Sequence, residues 1–204
     1  MNNANDALLI FVRNPELGKV KTRIAKEIGN AKTLIIYKSL LHYTFQTIEK
    51  LNVEKLIFVA DASAFSFKVS GNIEVYEQQG SDLGTRMKRA FNVAFDAGFS
   101  RVVIIGSDNY EITSDLIADA FEKLKNSDCV IGPANDGGYY LLGLTRNQPL
   151  LFENIAWSTE KTLAQTIDVL NKEKLTFKTL IPLNDIDTVE DVFRYKELVQ
   201  LIQE

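Results

Sequence analysis

Four polar segments carry most of the residues that could do chemistry, and each of them directly follows a predicted strand. They contain Arg13, Lys19, Lys21 and Arg23; Gln79, Gly80 and Arg86; Asp108; and Asp136, Gly137, Gly138 and Tyr139. In open α/β sheets, ligands bind along the edge where the carboxyl ends of the strands lie. We therefore expect the four segments to form one polar site at that edge.

The first of these segments suits a phosphate. Lys19, Lys21 and Arg23 occupy a loop and the predicted start of a helix. Backbone amides at a helix start attract anions, and the cations would add charge and forked donors. A solvated basic surface is the alternative, but the turn residues Pro15 and Gly18 directly after a buried strand favour a phosphate site. The segment is not a Walker loop, and the chain contains no Gly-x-Gly-x-x-Gly motif.

Three aspartates could hold a metal ion or move a proton. Asp108 follows the apolar segment 102–106, and a carboxylate that faces bound phosphates there is a typical ligand of Mg²⁺ or Mn²⁺. A turn or cap residue is an equally good interpretation of Asp108. Asp136 precedes two glycines, so it is either a turn acid or an acid beside backbone that approaches a ligand closely. Asp187 precedes a predicted helix, for which either Asp187 or Thr188 could be the N-cap.

Several chemistries are excluded by composition. The chain has one cysteine, which rules out an intrachain disulfide. Its only histidine, His42, lies in the middle of a predicted helix, which argues against histidine-based metal sites and Ser-His-Asp triads. We therefore expect His42 to be structural. Cys129 lies in an apolar strand, which indicates a buried thiol rather than a nucleophile. Trp157 is expected to be a packing residue, with an aromatic wall of the site as the alternative.

The bulk properties predict an ordinary globular protein. The chain has 204 residues, is 46% hydrophobic and has a net charge of -4. These values favour one domain over residues 1–204, with residues 1–6 flexible. The acidic balance disfavours nucleic-acid partners. No apolar run approaches the ~20 residues that cross a bilayer, and the polar amino terminus does not resemble a signal peptide, so we expect no membrane partner and a cytoplasmic location.

Strands and helices alternate along the chain. We predict strands at 7–12, 56–60, 73–76, 101–105, 129–131, 139–144 and 177–181, and helices at 34–51, 83–98, 114–126, 159–172 and 188–203. Alternation of this kind predicts an α/β fold of three layers, α/β/α, in which helices cover both faces of a mostly parallel sheet.

Five motifs occur in order along nearly the whole chain. They are Asn14-Pro15 with Gly18-Lys19 and Lys21-Thr22-Arg23; Gln79-Gly80 with Asp82-Leu83-Gly84 and Arg86-Met87; Gly106-Ser107-Asp108; Gly132-Pro133-Ala134 with Asp136-Gly137-Gly138-Tyr139; and Asp185-Ile186-Asp187-Thr188. Together they resemble the DUF2064 family, which has the glycosyltransferase-A, or nucleotide-diphospho-sugar transferase, fold. Some members are associated with arsenosugar biosynthesis as candidate glycosyltransferases. The fold is also similar to that of nucleotidyltransferases, including the guanylyltransferases of the molybdenum cofactor and phospholactate pathways and the sugar-acid cytidylyltransferases.

The resemblance implies roles for particular residues. Lys19, Lys21 and Arg23 would meet phosphates, and Asp108 would be a ligand of a divalent metal ion. Residues 187–191 match the Asp-Thr-x-Glu-Asp stretch that supplies a second metal-binding aspartate in the cytidylyltransferases, which makes Asp187 the second expected ligand. The remaining expected ligand-binding residues are Arg13, Gln79, Gly80, Arg86, Gly137, Gly138 and Tyr139.

One position departs from the family. Relatives usually carry Cys-Pro after the strand-end aspartate, whereas this chain has Asn109-Tyr110. A proline would restrict the turn that aims the carboxylate. Its loss therefore predicts a less rigidly placed Asp108.

Three functions are consistent with these residues. The first is a Mg²⁺- or Mn²⁺-dependent transferase that passes a sugar from a nucleotide-sugar to a small acceptor, with Asp136 orienting or deprotonating the acceptor hydroxyl. The second is a nucleotidyltransferase that joins a nucleoside triphosphate to a phosphorylated small molecule and releases pyrophosphate; the basic loop favours it, because a triphosphate needs more cations. The third is a non-catalytic nucleotide-binding protein, for which Asn109-Tyr110 is the sequence support.

Overall fold

A seven-stranded mixed sheet forms the centre of the protein in the computed structural model, which describes residues 5–63, 65 and 73–203. The strands are β1 (Asp6–Val12), β2 (Glu54–Val59), β3 (Glu74–Glu77), β4 (Arg101–Ile105), β5 (Cys129–Pro133), β6 (Tyr139–Leu144) and β7 (Phe177–Thr179), and their order across the sheet is β3-β2-β1-β4-β6-β5-β7. Neighbouring strands pair in parallel, except that β6 runs antiparallel to both β4 and β5. The predicted mostly parallel sheet is confirmed.

Helices cover both faces of this sheet. They are α1 (Thr22–Ile28), α2 (Asn30–Glu49), α3 (Leu83–Asp96), α4 (Ser114–Lys123), α5 (Thr162–Lys172), α6 (Val189–Phe193) and α7 (Lys196–Gln203), with a 3₁₀ turn at Pro149–Phe152. Because side chains alternate along a strand, Leu8 and Ile10 face the core under α1, α2, α4, α6 and α7, whereas Leu9 faces the core under α3 and α5. The predicted three-layer α/β/α arrangement is therefore confirmed. In the part of the chain that the structure describes, no helix is long and apolar enough to cross a membrane.

The predicted helix at 188–203 is two helices, α6 and α7, which pack against different neighbours. Val192 on α6 and Leu198 on α7 are both fully buried. The chain breaks at Arg194 and Tyr195, so that α6 packs against α1 and α7 packs against α2.

The amino-terminal prediction needs a correction for two residues. Asn5 and Asp6 were expected to be flexible, but Asp6 begins β1 and is fully buried. Its carboxylate accepts two hydrogen bonds from the Arg101 guanidinium, at 2.6 Å and 3.1 Å. The Asn5 carbonyl oxygen accepts from the backbone N–H groups of Ser100 and Arg101, at 2.9 Å and 3.2 Å. Pairing with β4 therefore orders both residues, while residues 1–4 lie outside the described part.

Candidate functional site

The loop after β1 is anchored at both of its sides by buried polar contacts. The Tyr37 hydroxyl of α2 accepts a hydrogen bond from the Arg13 N–H at 2.8 Å and donates to the Arg13 carbonyl oxygen at 3.1 Å. The Asn14 amide donates to the Asp61 carbonyl oxygen at 2.9 Å and accepts from the Asp61 N–H at 3.1 Å. These contacts hold the loop at the carboxyl ends of β1 and β2, which is where the sequence predicted a site.

Lys21 brings two of the predicted site aspartates together. Its ammonium lies 2.8 Å from Oδ2 of Asp108 and 2.8 Å from Oδ1 of Asp187. The Lys21 side chain is only 7% exposed, whereas the Asp108 and Asp187 side chains are 45% and 43% exposed. Arg23 lies on the outer side of this cluster, 4.0 Å from Oδ2 of Asp187. Three residues that are far apart in the sequence therefore converge on one point at the sheet edge.

The electrostatics of this cluster favour the charged forms of Lys21 and Asp187. Burial alone would lower the pKa of Lys21, but the negative charges of Asp108 and Asp187 outweigh it and raise that pKa. Burial would likewise raise the pKa of Asp187, but the ammonium of Lys21 outweighs it and lowers that pKa. Lys21 and Asp187 therefore form a stable ion pair, and the partly exposed Asp108 carboxylate lies beside the same ammonium.

Asp187 is available for this cluster because another residue caps the helix. The Thr188 hydroxyl accepts from the Asp191 N–H at 3.4 Å, and Oδ2 of Asp191 accepts from the Thr188 N–H at 2.9 Å. This reciprocal arrangement is a capping box, and it satisfies the first amides of α6. Of the two possible caps in the sequence, Thr188 is therefore the one used, and the Asp187 carboxylate is left to face Lys21.

Asn109 fixes the turn that carries Asp108. Its amide group donates to the Asn184 carbonyl oxygen and to Oδ1 of Asp185, each at 3.1 Å, and its side-chain oxygen accepts from the Glu111 N–H at 2.9 Å. The Asp108 carbonyl oxygen also accepts from the Ile186 N–H at 2.8 Å. We expected the loss of proline to loosen Asp108, but these hydrogen bonds tie its turn to the segment that carries Asp187.

Asp185 belongs to the same surroundings, although sequence reasoning did not select it. Burial, followed by the negative charge of Asp108, raises the pKa of the Asp185 carboxyl to about 7. The charge of Asp136 acts in the same direction, whereas the hydrogen bond from Asn109 and the charge of Lys21 oppose it. A signal was present in the sequence, because one helix start needs only one cap while acids occur at 185, 187 and 191.

The raised pKa of Asp185 predicts a pH-dependent stability. Its folded pKa of about 7 lies above the ordinary value of 3.8, so between these values the folded protein holds a proton that the unfolded chain has lost. Stability contributed by this group is therefore complete below pH 3.8 and is lost as the pH rises towards 7. We expect the difference in free energy of unfolding, Asp185→Asn minus wild type, to be at least about 1 kcal/mol larger at about pH 8 than at about pH 5. Urea unfolding of both proteins in EDTA checks this, and an equal difference at both pH values would contradict it.

The other basic residues of the loop are more exposed than Lys21. The Lys19 side chain is 72% exposed and pairs with Glu16 at 2.6 Å. Arg13 is exposed, and its charge contributes to the lowered pKa of Asp187. The Arg23 side chain is 74% exposed. Arg13 and Arg23 therefore present charge next to the aspartates, whereas Lys19 is engaged elsewhere in the loop.

Gln79, Gly80 and Arg86 form a neighbouring part of the edge. The Arg86 guanidinium donates to the Gly80 carbonyl oxygen at 3.0 Å, which accounts for a positive charge in the first turn of α3. Gln79 and Arg86 line a cleft of roughly 130 Å³ together with Phe58 and Tyr76. The structure therefore places Gln79 and Arg86 in the wall of this cleft, with Gly80 held to Arg86.

The segment after β5 divides between the site and the core. Asp136 is exposed, accepts from the Gly138 N–H at 2.9 Å, and lies near enough to Asp185 to affect its pKa. Gly137 has a φ of +89°, and a Cβ there would lie 2.3 Å from the Glu160 carbonyl oxygen. Tyr139 instead packs into the core against Trp157, with ring centroids 6.4 Å apart. Asp136 thus borders the acidic cluster, and Tyr139 turns away from it.

Cys129 and Trp157 are packing residues, as predicted. Cys129 is fully buried, and burial raises the pKa of its thiol. Trp157 packs against Phe152 and against Gly84, where a Cβ would lie 2.1 Å from the indole nitrogen. Neither residue therefore contributes reactive chemistry.

The donor set around Lys21 fits a hard divalent cation. Asp108 and Asp187 offer carboxylate oxygens that converge on one point, and both side chains are partly exposed. Among residues 5–63, 65 and 73–203, no group of three or more His, Cys, Asp or Glu side chains is arranged to hold a metal by itself. Mg²⁺ is commonly bound by one or two carboxylates, with water and substrate phosphates as the other ligands. Two aspartates are therefore a sufficient protein contribution.

Comparisons with solved structures support the fold. A protein from Desulfovibrio desulfuricans G20, provisionally assigned as a nucleotide-diphospho-sugar transferase, is 32% identical; the match covers 98% of this chain and 97% of that one, with a TM-score of 0.89. Rv0371c from Mycobacterium tuberculosis H37Rv, solved in complex with manganese, is 11% identical over 95% of this chain and 99% of that one, with a TM-score of 0.55. The synthetase of CMP-2-keto-3-deoxy-manno-octonic acid, solved with CTP, is 9% identical over 98% and 99%, with a TM-score of 0.58.

These similarities confirm the predicted nucleotide-diphospho-sugar transferase fold, which the nucleotidyltransferases share. No curated protein matches the chain in sequence. The family described as uncharacterized proteins conserved in bacteria matches residues 44–159, which is more than half of the chain. With this match and the D. desulfuricans relative, the chain belongs to the DUF2064 family.

Proposed function

We propose that the protein transfers a sugar from a nucleotide-diphospho-sugar to a small acceptor. The observation that carries this proposal is the convergence of Asp108 and Asp187 within 2.8 Å of one cationic nitrogen at the carboxyl edge of the sheet. A diphosphate bridged by a divalent ion needs paired carboxylates on one side and exposed cations on the other. Arg13 and Arg23 supply the exposed cations.

The two aspartates and the two exposed arginines have defined parts in this proposal. Asp108 and Asp187 would hold Mg²⁺ or Mn²⁺, which when bound stabilises the charge of the leaving diphosphate. Arg23 and Arg13 would donate to the remaining phosphate oxygens, where charge-assisted hydrogen bonds are strong. The relative from D. desulfuricans, which shares 32% of its sequence, supports this choice of donor.

Asp136 is the proposed residue on the acceptor side. Its carboxylate is exposed and lies near Asp185. In the transfer, the acceptor oxygen forms a bond to the anomeric carbon of the sugar while the bond from that carbon to the diphosphate oxygen breaks. Asp136 would take the proton of the acceptor hydroxyl, as a general base does.

A nucleotidyltransferase is the second candidate. The basic loop favours it in sequence, but Lys19 pairs with Glu16. The loop therefore presents less free positive charge than its sequence suggests, which suits a diphosphate better than a triphosphate. Release of pyrophosphate from a nucleoside triphosphate, with no turnover of nucleotide-sugars, would favour this candidate.

A non-catalytic nucleotide-binding protein is the third candidate. Its support was the replacement of Cys-Pro by Asn109-Tyr110. That support is weakened, because Asn109 ties the Asp108 turn to Asp185 and Asn184. Stabilisation by a nucleotide without turnover across a broad set of acceptors would favour this candidate.

A thermal-shift screen tests the proposal directly. We expect a nucleotide-diphospho-sugar with Mn²⁺, at about 100 times its dissociation constant, to stabilise the protein by about 2.7 kcal/mol. Nucleoside triphosphates and diphosphates, each with and without Mn²⁺, form the comparison. The stabilisation should be lost in Asp108→Ala and retained in Asp168→Ala, a control on the exposed side of α5. No shift with any nucleotide would contradict both enzyme candidates.

A further inference from the structure

Lys21 occupies the position at which the two proposed metal ligands converge. Its ammonium lies 2.8 Å from one oxygen of Asp108 and 2.8 Å from one oxygen of Asp187, and its side chain is 7% exposed. Lys19, in the same loop, extends toward solvent and is 72% exposed. Lys21 instead neutralises the carboxylates from the inner side of the cluster.

The backbone of Lys21 is shaped for this contact. It has φ 44° and ψ 51°, the left-handed region, which is uncommon for residues other than glycine. Its carbonyl oxygen accepts from the Ala25 N–H at 3.0 Å as the first turn of α1 begins. Backbone strain of this kind persists where the surroundings impose it and is concentrated at functional sites.

We propose that Lys21 is an internal counter-ion that competes with the divalent metal for Asp108 and Asp187, and that a nucleotide phosphate relieves this competition. The inference rests on the proposed function, since it takes these aspartates as the metal ligands. A diphosphate next to the cluster would attract the Lys21 ammonium, whose flexible stem and rotatable donors let it change partner. Metal and nucleotide then bind cooperatively, and the metal alone binds weakly.

The partial exposure of the aspartates makes this exchange possible. Asp108 and Asp187 are 45% and 43% exposed, so an ion can approach from solvent while Lys21 lies on the buried side. Without the ammonium, two carboxylates would face each other unneutralised, and their attraction for a divalent cation would increase. Removing the Lys21 charge should therefore strengthen metal binding, which is opposite to the loss expected for a residue that only supports the site.

Direct measurement of Mn²⁺ binding tests this inference without any assay of turnover. The signal of free Mn²⁺ in electron paramagnetic resonance is titrated with wild type, Lys21→Met and Lys26→Met, each with and without inorganic pyrophosphate as the probe, against protein-free samples of the same Mn²⁺ and pyrophosphate content. Lys26→Met is the matched control, because Lys26 is an exposed lysine on α1 away from the aspartates. Circular dichroism and thermal melting establish that each variant is folded, and Lys21→Gln provides a second neutral variant.

The expected result is reciprocal coupling between metal and phosphate. Without pyrophosphate, Lys21→Met should bind Mn²⁺ about tenfold more tightly than wild type, whereas Lys26→Met should match wild type. Pyrophosphate should tighten Mn²⁺ binding to wild type about tenfold and have a smaller effect on Lys21→Met. Adding Asp108→Asn to Lys21→Met should remove the gain.

Two other results would overturn the inference in distinguishable ways. If folded Lys21→Met and Lys21→Gln bind Mn²⁺ no more tightly than wild type, while pyrophosphate still promotes binding to wild type, the counter-ion role is wrong and the proposed function stands. If neither wild type nor the Lys21 variants bind Mn²⁺ under any of these conditions, the metal site is wrong and both proposals are overturned.

Discussion

Replacement of Asp108 with alanine is expected to lower kcat/KM for metal-dependent transfer by at least about 100-fold. The physical reason is the loss of one of two carboxylates that would hold the ion on the leaving diphosphate. A loss of this size corresponds to about 2.7 kcal/mol of transition-state stabilisation. The assay uses the nucleotide class that stabilises the wild type, with Mn²⁺ present and with Mn²⁺ removed by EDTA.

The fold of this variant should be preserved. The Asp108 side chain is 45% exposed, and the hydrogen bond that anchors its turn is made by its backbone carbonyl to the Ile186 N–H at 2.8 Å. Asp168→Ala serves as the matched control and should keep wild-type activity. If metal-dependent turnover survives in Asp108→Ala, the assignment of Asp108 as a metal ligand is wrong.

Arg101→Met is expected to destabilise the protein by about 3–5 kcal/mol. Asp6 is fully buried, and Arg101 donates both of its hydrogen bonds, at 2.6 Å and 3.1 Å. Removing the guanidinium leaves a buried charge without compensation, which is much more costly than losing an exposed ion pair. Equilibrium unfolding in urea measures the change.

Two further variants separate this explanation from general sensitivity of the fold. Lys125→Met removes an exposed partner of Glu122 and should cost less than about 1 kcal/mol. Asp6→Leu combined with Arg101→Met replaces both charges by apolar groups and should recover much of the lost stability. A double variant as unstable as Arg101→Met alone would show that the buried charge is not the cause.

The architecture and much of the candidate site could be predicted from local sequence. The strand pattern of Arg101–Ile105 and of Tyr139–Leu144 was predicted to the residue, because short apolar runs between turn residues are local signals. The order of motifs placed Lys21, Asp108 and Asp187 at strand and helix ends, and the fold brings these three together. That convergence could be anticipated because carboxyl ends of parallel strands share one edge.

Other features depend on contacts between distant segments, which no local pattern encodes. The sequence indicated β6 as an extended segment, but its antiparallel direction follows from pairing with β4 and β5. The break between α6 and α7 accompanies separate packing partners, α1 for α6 and α2 for α7. The pairing of Lys21 joins residues 166 positions apart, so its burial and its neutralising role could not be read from a basic loop.

In the candidate site, too, some features follow from the sequence and others only from the tertiary structure. Residue types and their spacing indicated that basic side chains and carboxylates lie at one edge of an α/β sheet. Tertiary structure decided which of them meet: Lys21 with the aspartates, Lys19 with Glu16, and Tyr139 with the core. It also raised the pKa of Asp185 to about 7. The physical reason is that charge, burial and hydrogen bonding act through space, whereas a sequence records only what lies next along the chain.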